Sequence, residues 1–519
     1  MMRLVLMLAL ADACWGACGG SSPNRVAADA TRTEVADCVT AATTGDTISV
    51  PSGSSTWSTP ITLPQSKDLT LAGATVISCS GTEGSSSYSC TPTNNTVLTC
   101  ANGCFEFDMG ANHTITGFTM TNAATQEIVT CVGEANDTKH FRIHHNRLIS
   151  TGGWNPTRCK GGSNGVHPTG IWDHNIIEGG VAIHTNGTLH QLDESEAQHI
   201  IWAQGTTLGD SARVVYVEAN YFLTTSNTTN FTDGNYGARV VIRFNRSQGP
   251  AITSFEFHSP QGQNRGFQRW EAYNNHSVDQ DLTDGCFHGM MSIRGGTGVV
   301  FSNAMSGDEN GCNFDMLLDN VRSGWAVPET IDGIRECSGS ASSPWDQNTG
   351  GQNGWHCRDQ IGLAKDNSQW DEITTPAWDQ EIKPAYFWGN TRGGAAMNEA
   401  IDTDLRNDEH IQWNRDAYKA NGASCSGASC ASGVGSGAIA SRPSNCTTGT
   451  AYWATDEGEW NSQSGGADGR LYKCTATNTW TLYYTPYTYP HPWTGAASAS
   501  PAKSGGGASH GGGAKIGDE

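Results

Sequence analysis

The chain has 519 residues, of which 16% are charged, and a net charge of −21. So acidic a balance argues against a general affinity for nucleic acid or for an anionic membrane surface, though not against an anionic sugar held by a local basic cluster. With 63 glycines and abundant Ser, Thr and Asn, the composition favours an all-β, turn-rich fold over a helical one.

Residues 1–17 carry Arg3, a short apolar run and a small-residue end at Ala11-Asp12-Ala13. This is the pattern of an export signal, far short of the roughly 20 residues that span a membrane. Cys18 followed by Gly-Gly-Ser-Ser-Pro resembles a lipoprotein junction, so residues 18–30 are expected to be a leader or tether with Cys18 as a candidate lipid anchor. The expected location is extracellular, either free or as a cell-surface lipoprotein. Export makes disulfides the natural state for the 17 cysteines. Cys79/Cys90, Cys100/Cys104, Cys425/Cys430 and Cys446/Cys474 are plausible close pairs, the remaining connectivity stays open, and an odd count leaves at least one thiol free or intermolecular. Residues 31–45 fit a short helix that caps the first rung of a β stack.

The body of the chain is a repeat. Short runs of alternating apolar and polar residues end on Asn146, Asn175, Asn220, Asn245, Asn275 and Asn303, 25–30 residues apart except for one step of 45. A period of that length with one strand per unit predicts a solenoid. Aligned on the asparagines, the columns three and five residues before them are largely apolar and belong inside: Ile143, Trp172, Val217, Ile242, Ala272 and Val300 form the first. The alternate columns must point away from the core, and solvent is the expected neighbour. They hold His144, Asp173, Glu218, Arg243, Tyr273 and Phe301, then Arg142, Tyr216 and Glu271, then Arg239 and Arg269. After an interruption over residues 305–380, PAYFWGN restores the pattern, with Tyr386 and Trp388 outward.

Stacked rungs on an asparagine column, opened by the ITL…SKDLTL stretch near residues 61–71, resemble the right-handed parallel β-helix of the pectin-lyase-like superfamily. The resemblance covers roughly residues 30–395, with the β-helix itself expected over 31–395. It implies an all-β, right-handed parallel β-helix solenoid with long loop insertions. That fold hosts lyases, hydrolases and adhesins, so it carries no catalytic residues to this chain.

The outward stripe concentrates charge in a sparsely charged chain and is the first candidate site. An elongated groove of acids and bases suits a polysaccharide. β-Elimination needs a base for the proton α to a uronate carboxyl and a cation to neutralise that carboxyl. Arg239, Arg243 and Arg269 are candidates for neutralisation and His144 or His258 for the base. Hydrolysis needs two carboxylates about 5–5.5 Å or about 6.5–9.5 Å apart, which Asp173 with Glu218, or Glu218 with Glu271, are placed to supply. Asp173 and Glu218 are also candidate oxygen ligands for Ca²⁺. Tyr273, Tyr386 and Trp388 are candidate stacking platforms for sugar rings, and Arg294 is assigned only a turn.

Residues 396–440 read as a polar segment and small-residue linker. Residues 441–493 form an aromatic-rich β unit, an end cap or a carbohydrate-binding unit, with YTPYTYPHP lying extended against the coil. The Gly/Ser/Ala-rich tail, 494–519, is expected to be disordered. The function expected from these features is an exported polysaccharide-active enzyme, with elimination ahead of hydrolysis. The alternative is a non-catalytic glycan-binding, adhesion or structural protein on the same fold.

Overall fold

The computed structural model describes residues 18–495 apart from 123–126, 134–137, 151–156, 162–166, 180–182, 187–206, 212, 225–229, 250–252, 259–265, 279–288, 307–314, 320–341, 344–347, 350–359, 363–382 and 403–410. The export signal, most of the 305–380 interruption and nearly all of the tail lie outside the described residues.

The chain is an all-β parallel β-helix. Among the described residues three sheets of 13, 10 and 11 strands, parallel except for an antiparallel pair at one end of the first and of the third, run the length of the stack; we call them sheets 1, 2 and 3. Each coil contributes a strand to sheet 2, then to sheet 1, then to sheet 3, as in Val129–Val132, Phe141–His144 and Arg147–Ser150. Sheet 1 contains the repeat read from the sequence, and its register is the one the asparagine alignment predicts. Ile143 faces Trp172, Trp172 faces Val217, Val217 faces Ile242, Ile242 faces Ala272 and Ala272 faces Val300. All six are buried in one continuous core. The 45-residue step is an excursion that leaves its flanking strands paired, Asp173 beside Glu218. Glycine enters an inward column where a large ring already fills the space: a Cβ at Gly298 would strike the Trp270 ring.

The sharp corner between sheets 1 and 3 explains the asparagines. The residue before each one turns the chain through the left-handed region, with φ of 51–56° at His145, His174, Ala219, Phe244, Asn274 and Ser302. Such conformations cost a non-glycine residue roughly 1–2 kcal/mol, so something must hold them. Each asparagine does so. The Nδ2 of Asn220 donates to Trp172 O at 2.9 Å and to Asn245 Oδ1 at 3.1 Å, and its backbone N–H donates to Asn245 Oδ1 at 2.9 Å. The same pattern continues from Asn146 through Asn303 to Asn390, whose Nδ2 ends the ladder on Glu399 Oε1 at 3.1 Å. The ladder is buried throughout, so each amide satisfies corner groups that water does not reach.

The stack runs past both expected ends. The leader is no tether: Cys18–Ser21 and Asn24–Ala27 form a hairpin that adds onto sheet 1. Cys18 is disulfide-bonded to Cys38 on helix Arg32–Ala41. That corrects the lipid-anchor expectation, because a sulfur committed to a disulfide cannot also carry a thioether. The four predicted close pairs are bonded, and a further disulfide, Cys131–Cys159, joins facing positions of adjacent rungs. At the other end, Ala417–Lys419 is a further strand of sheet 1, and the expected linker contributes Val434–Gly437 to the C-terminal unit. Among the described residues no helix is long and apolar enough to cross a membrane.

The ladder makes a definite stability prediction. Asn220→Ala leaves two rungs with buried unpaired donors and acceptors, at about 1–3 kcal/mol for each group. We expect thermal unfolding of this variant to show a loss of about 2–4 kcal/mol, against under about 0.5 kcal/mol for a surface control such as Asn102→Ala.

Candidate functional site

The outward stripe of sheet 1 is where the structure departs most from expectation. Its side chains do leave the coil core, but they do not meet solvent. Asp173, Glu218, Arg243 and Tyr273 are fully buried, and Phe301 and Trp388 nearly so. The C-terminal unit covers them. Its four-stranded sheet, Val434–Gly437, Ala451–Ala454, Arg470–Ala476 and Thr479–Tyr484, is laid against the side of the stack and not over its end. Trp453 and Trp460 pack on Phe301, Tyr273 and Trp388 at ring-centroid distances of 4.9–6.5 Å.

From Tyr484 the chain runs back along the coil as a strap, roughly one rung at a time. Tyr484 Oη donates to Glu271 Oε2 at 2.7 Å. Tyr487 O and Thr488 O accept from the Arg243 guanidinium at 2.6 and 2.9 Å. The His491 N–H donates to Glu218 Oε1 at 2.9 Å, and Trp493 stacks on His140 at 4.2 Å. The hairpin Val76–Ser80/Ser89–Thr93 presents Glu83 to the same strap, where it accepts from Tyr489 Oη.

Each candidate of the stripe therefore has another occupation. Glu218 and Arg243 are paired at 2.6 Å, and Arg269 pairs with Glu271 at 3.1 Å and with Asp210 at 3.0 Å. Burial pushes the Glu218 carboxyl up against the pull of Arg243. Arg239 is buried, with its Nε on Gln268 Oε1. Tyr386 donates to Gly449 O at 2.9 Å and Trp388 stacks on Phe301, so neither is a sugar platform. Asp173 takes Arg142 on both oxygens at 2.9 and 2.8 Å. Asp173 and Glu218, expected to share Ca²⁺, are thus each matched to a guanidinium. His144 stands apart from these, half-buried beside His145.

Sheet 2 holds a second set of ionisable groups, outside the reach of the strap. Its register places His184 beside Asp233 and Glu256 beside Ser292 on successive rungs. His258 Nε2 lies 3.4 Å from Asp233 Oδ1 and 3.2 Å from Glu256 Oε1, and His184 Nε2 lies 3.2 Å from Asp233 Oδ2. Arg294 NH1 reaches Glu256 Oε1 at 2.9 Å, and its Nε lies 3.5 Å from Asp319 Oδ2. Five consecutive or near-consecutive rungs thereby feed one connected strip, from His184 to Asp319.

The environments within the strip push its groups apart. For Asp233 the cost of burial is outweighed by His258 and His184, which hold its carboxyl well below the usual range. Burial also opposes the charge on His258, but Asp233 and Glu256 win and raise it to about 9. Asp319 is raised by burial to about 7, against the pull of Arg294, and neither of its oxygens has a hydrogen-bond partner among the described residues. A carboxyl raised by burial beside an arginine thus stands two rungs from an imidazole that two carboxylates hold protonated.

No protein-family model, curated protein or solved structure matches the chain. The chemistry of the strip therefore rests on its own geometry. Of its members, the sequence singled out His258 as a site candidate and gave Arg294 only a turn. His184, Asp233, Glu256 and Asp319 were missed. Among the described sheet 2 strands only Ile183–Asn186 and Asn230–Asn235 end on an asparagine, which aligns His184 with Asp233 but not the other members, and a further signal was the alternation in SFEFHS, which places Glu256 and His258 on one face.

Two variants test these environments. Arg243→Ala strands Glu218 in a closed interface and is expected to cost about 3–5 kcal/mol in thermal unfolding. The Asp319 carboxyl favours the fold only while protonated. Its contribution is fully present below the ordinary value of 3.8 and is lost as pH rises through about 7. Asp319→Asn should therefore unfold at a higher temperature than the parent at about pH 8.5 and near the parent's temperature at about pH 4.

Proposed function

We propose that the protein is an exported, polysaccharide-active enzyme of the pectin-lyase-like, right-handed β-helix kind, and that its site is the sheet 2 strip. The reaction we favour is β-elimination on a uronate-containing glycan, ahead of hydrolysis. The observation that carries this reading is the contact of Asp319, Arg294, Glu256, His258 and Asp233 across adjacent rungs, outside the face that the strap covers.

Elimination needs a base whose affinity for protons matches neutral pH. Asp319, ionising at about 7, supplies one. Its carboxylate takes the proton α to the uronate carboxyl, the electron pair moves into the ring double bond, and the glycosidic oxygen leaves from the β carbon as an alcohol, taking a proton from water. The uronate carboxyl must be neutralised while charge develops on it. Arg294 and protonated His258 supply positive charge there, and Asp233 and Glu256 hold the imidazole in that state. Disulfides fit the oxidising surroundings of an exported protein. The negative overall charge is no obstacle to an anionic glycan, since screening at about 8–10 Å leaves the local cations in control.

A panel of uronate-containing and neutral polysaccharides, followed for unsaturated uronate absorbance and for new reducing ends, tests the proposal. On a responsive glycan we expect kcat/KM to rise through pH about 7 as Asp319 ionises and to fall through about 9 as His258 loses its proton. Asp319→Asn and Arg294→Ala should each lower kcat/KM by about 10²–10⁴-fold. Reducing ends without unsaturated product would make the reaction hydrolytic. Binding with neither product would leave a non-catalytic glycan-binding protein.

A further inference from the structure

We propose that His144, His145 and Asp173 form a binding site for one divalent transition-metal ion of the copper or nickel class, at the corner between sheets 1 and 3. The ligand atoms of these three side chains all lie within 4.8 Å of one another. The site is separate from the sheet 2 strip.

The backbone creates the pair. Consecutive side chains on a strand point to opposite faces, which would part the two imidazoles. His145 instead sits at the left-handed corner position, with φ 51°, and this swings its ring back toward His144. The two Nδ1 atoms end 2.8 Å apart. Two nitrogen ligands at about 2.0–2.1 Å from one ion are about 2.9 Å apart at a right angle and about 3.4 Å apart in a tetrahedron. The pair matches the right-angle chelate of square-planar or octahedral ions with little movement, and a tetrahedral zinc site less well.

Asp173 is the third donor. Its Oδ2 accepts from Arg142 at 2.8 Å and from His174 Nδ1 at 3.0 Å, while its Oδ1, among the described residues, accepts from Arg142 alone at 2.9 Å. A carboxylate oxygen accepts two such bonds, so Oδ1 keeps a position for an ion. The supports are fixed in turn. His174 is held from both sides, its Nδ1 on Asp173 Oδ2 and its Nε2 on Glu83 Oε1, each at 3.0 Å. The donors facing the ion are two imidazole nitrogens and one carboxylate oxygen. That set suits copper or nickel and is too poor in oxygen for calcium or magnesium. Thr116 Oγ1, 3.3 Å from His144 Nδ1, lies on the neighbouring rung as a further oxygen.

The test is titration calorimetry of the full chain with CuCl₂, NiCl₂ and CaCl₂, with copper electron paramagnetic resonance on the loaded protein. Two variants spare the fold. His145→Ala places at this corner the residue that Ala219 already is on another rung, at φ 53°. His144→Thr places in this column the residue that Thr116 already is. We expect Cu²⁺ and Ni²⁺ to bind the parent, Ca²⁺ to give no binding heat, and each variant to weaken Cu²⁺ at least tenfold. Nitrogen coupling in the copper spectrum should fall from two nitrogens to one in each variant. Unchanged affinity in both variants, or no binding of Cu²⁺ and Ni²⁺ by the parent, would overturn the site.

Discussion

The buried pair of Glu218 and Arg243 constrains the molecule more than any other interaction. Both side chains are fully enclosed, and an enclosed charge is tolerable only when every lone pair and N–H that matters has a partner. The rungs supply only part of that set, namely the salt bridge itself and the Tyr273 hydroxyl at 2.9 Å from Arg243 NH1. The rest comes from the strap, as two backbone carbonyls and one backbone N–H. Backbone groups of a distant segment have been recruited to neutralise a polar patch on the coil. The aromatic rings of Tyr216 and Tyr489, 4.8 and 5.1 Å from the guanidinium carbon, complete the enclosure.

This constraint removes sheet 1 from the faces on which a sugar could lie. Sheet 1 looks outward onto a packed interface, and an open sugar groove cannot run where Trp453, Trp460 and Tyr484 lie. Sheet 2 keeps its ionisable groups in contact with one another and away from the strap. The two faces differ in how their charge is matched. On sheet 1 each acid is matched to a guanidinium with hydrogen bonds to spare. On sheet 2 the Asp319 oxygens have no hydrogen-bond partner among the described residues, and three groups are displaced from their ordinary titration ranges in different directions.

Much of the coil was legible in the sequence. The asparagine column records a corner that each rung must turn, and the strand before it has a period of two, so register and facing are fixed for Ile143 through Val300. What alternation does not record is which neighbour an outward side chain meets. Arg243 and Asp173 point away from the core, as their columns predict, and a segment more than 240 residues along the chain covers the former. A hint was present: the outward columns turn aromatic and aliphatic toward the C-terminal rungs, at Val241, Tyr273, Phe301, Tyr386 and Trp388, which is costly on a wet surface. The sheet 2 strip was harder to see. Its strands are set apart from the asparagine column by turns of varying length, and among the described ones only Ile183–Asn186 and Asn230–Asn235 share a terminal asparagine, so Glu256, Arg294 and Asp319 had no common frame in which to join His184 and Asp233. Cys18 misled for a local reason, since a hairpin and a lipoprotein junction both use small residues after a cysteine.

The central claim is that the strap is an integral part of the fold and that its backbone completes the Glu218–Arg243 pair. Native-state hydrogen exchange of the His491 amide tests it most directly. If the amide is locked onto Glu218, its opening free energy should equal that of the amides in strand Val215–Glu218 beneath it. Exchange of His491 at the rate of an exposed loop, while those strand amides stay protected, would show a strap that lifts freely and a sheet 1 face open to ligands.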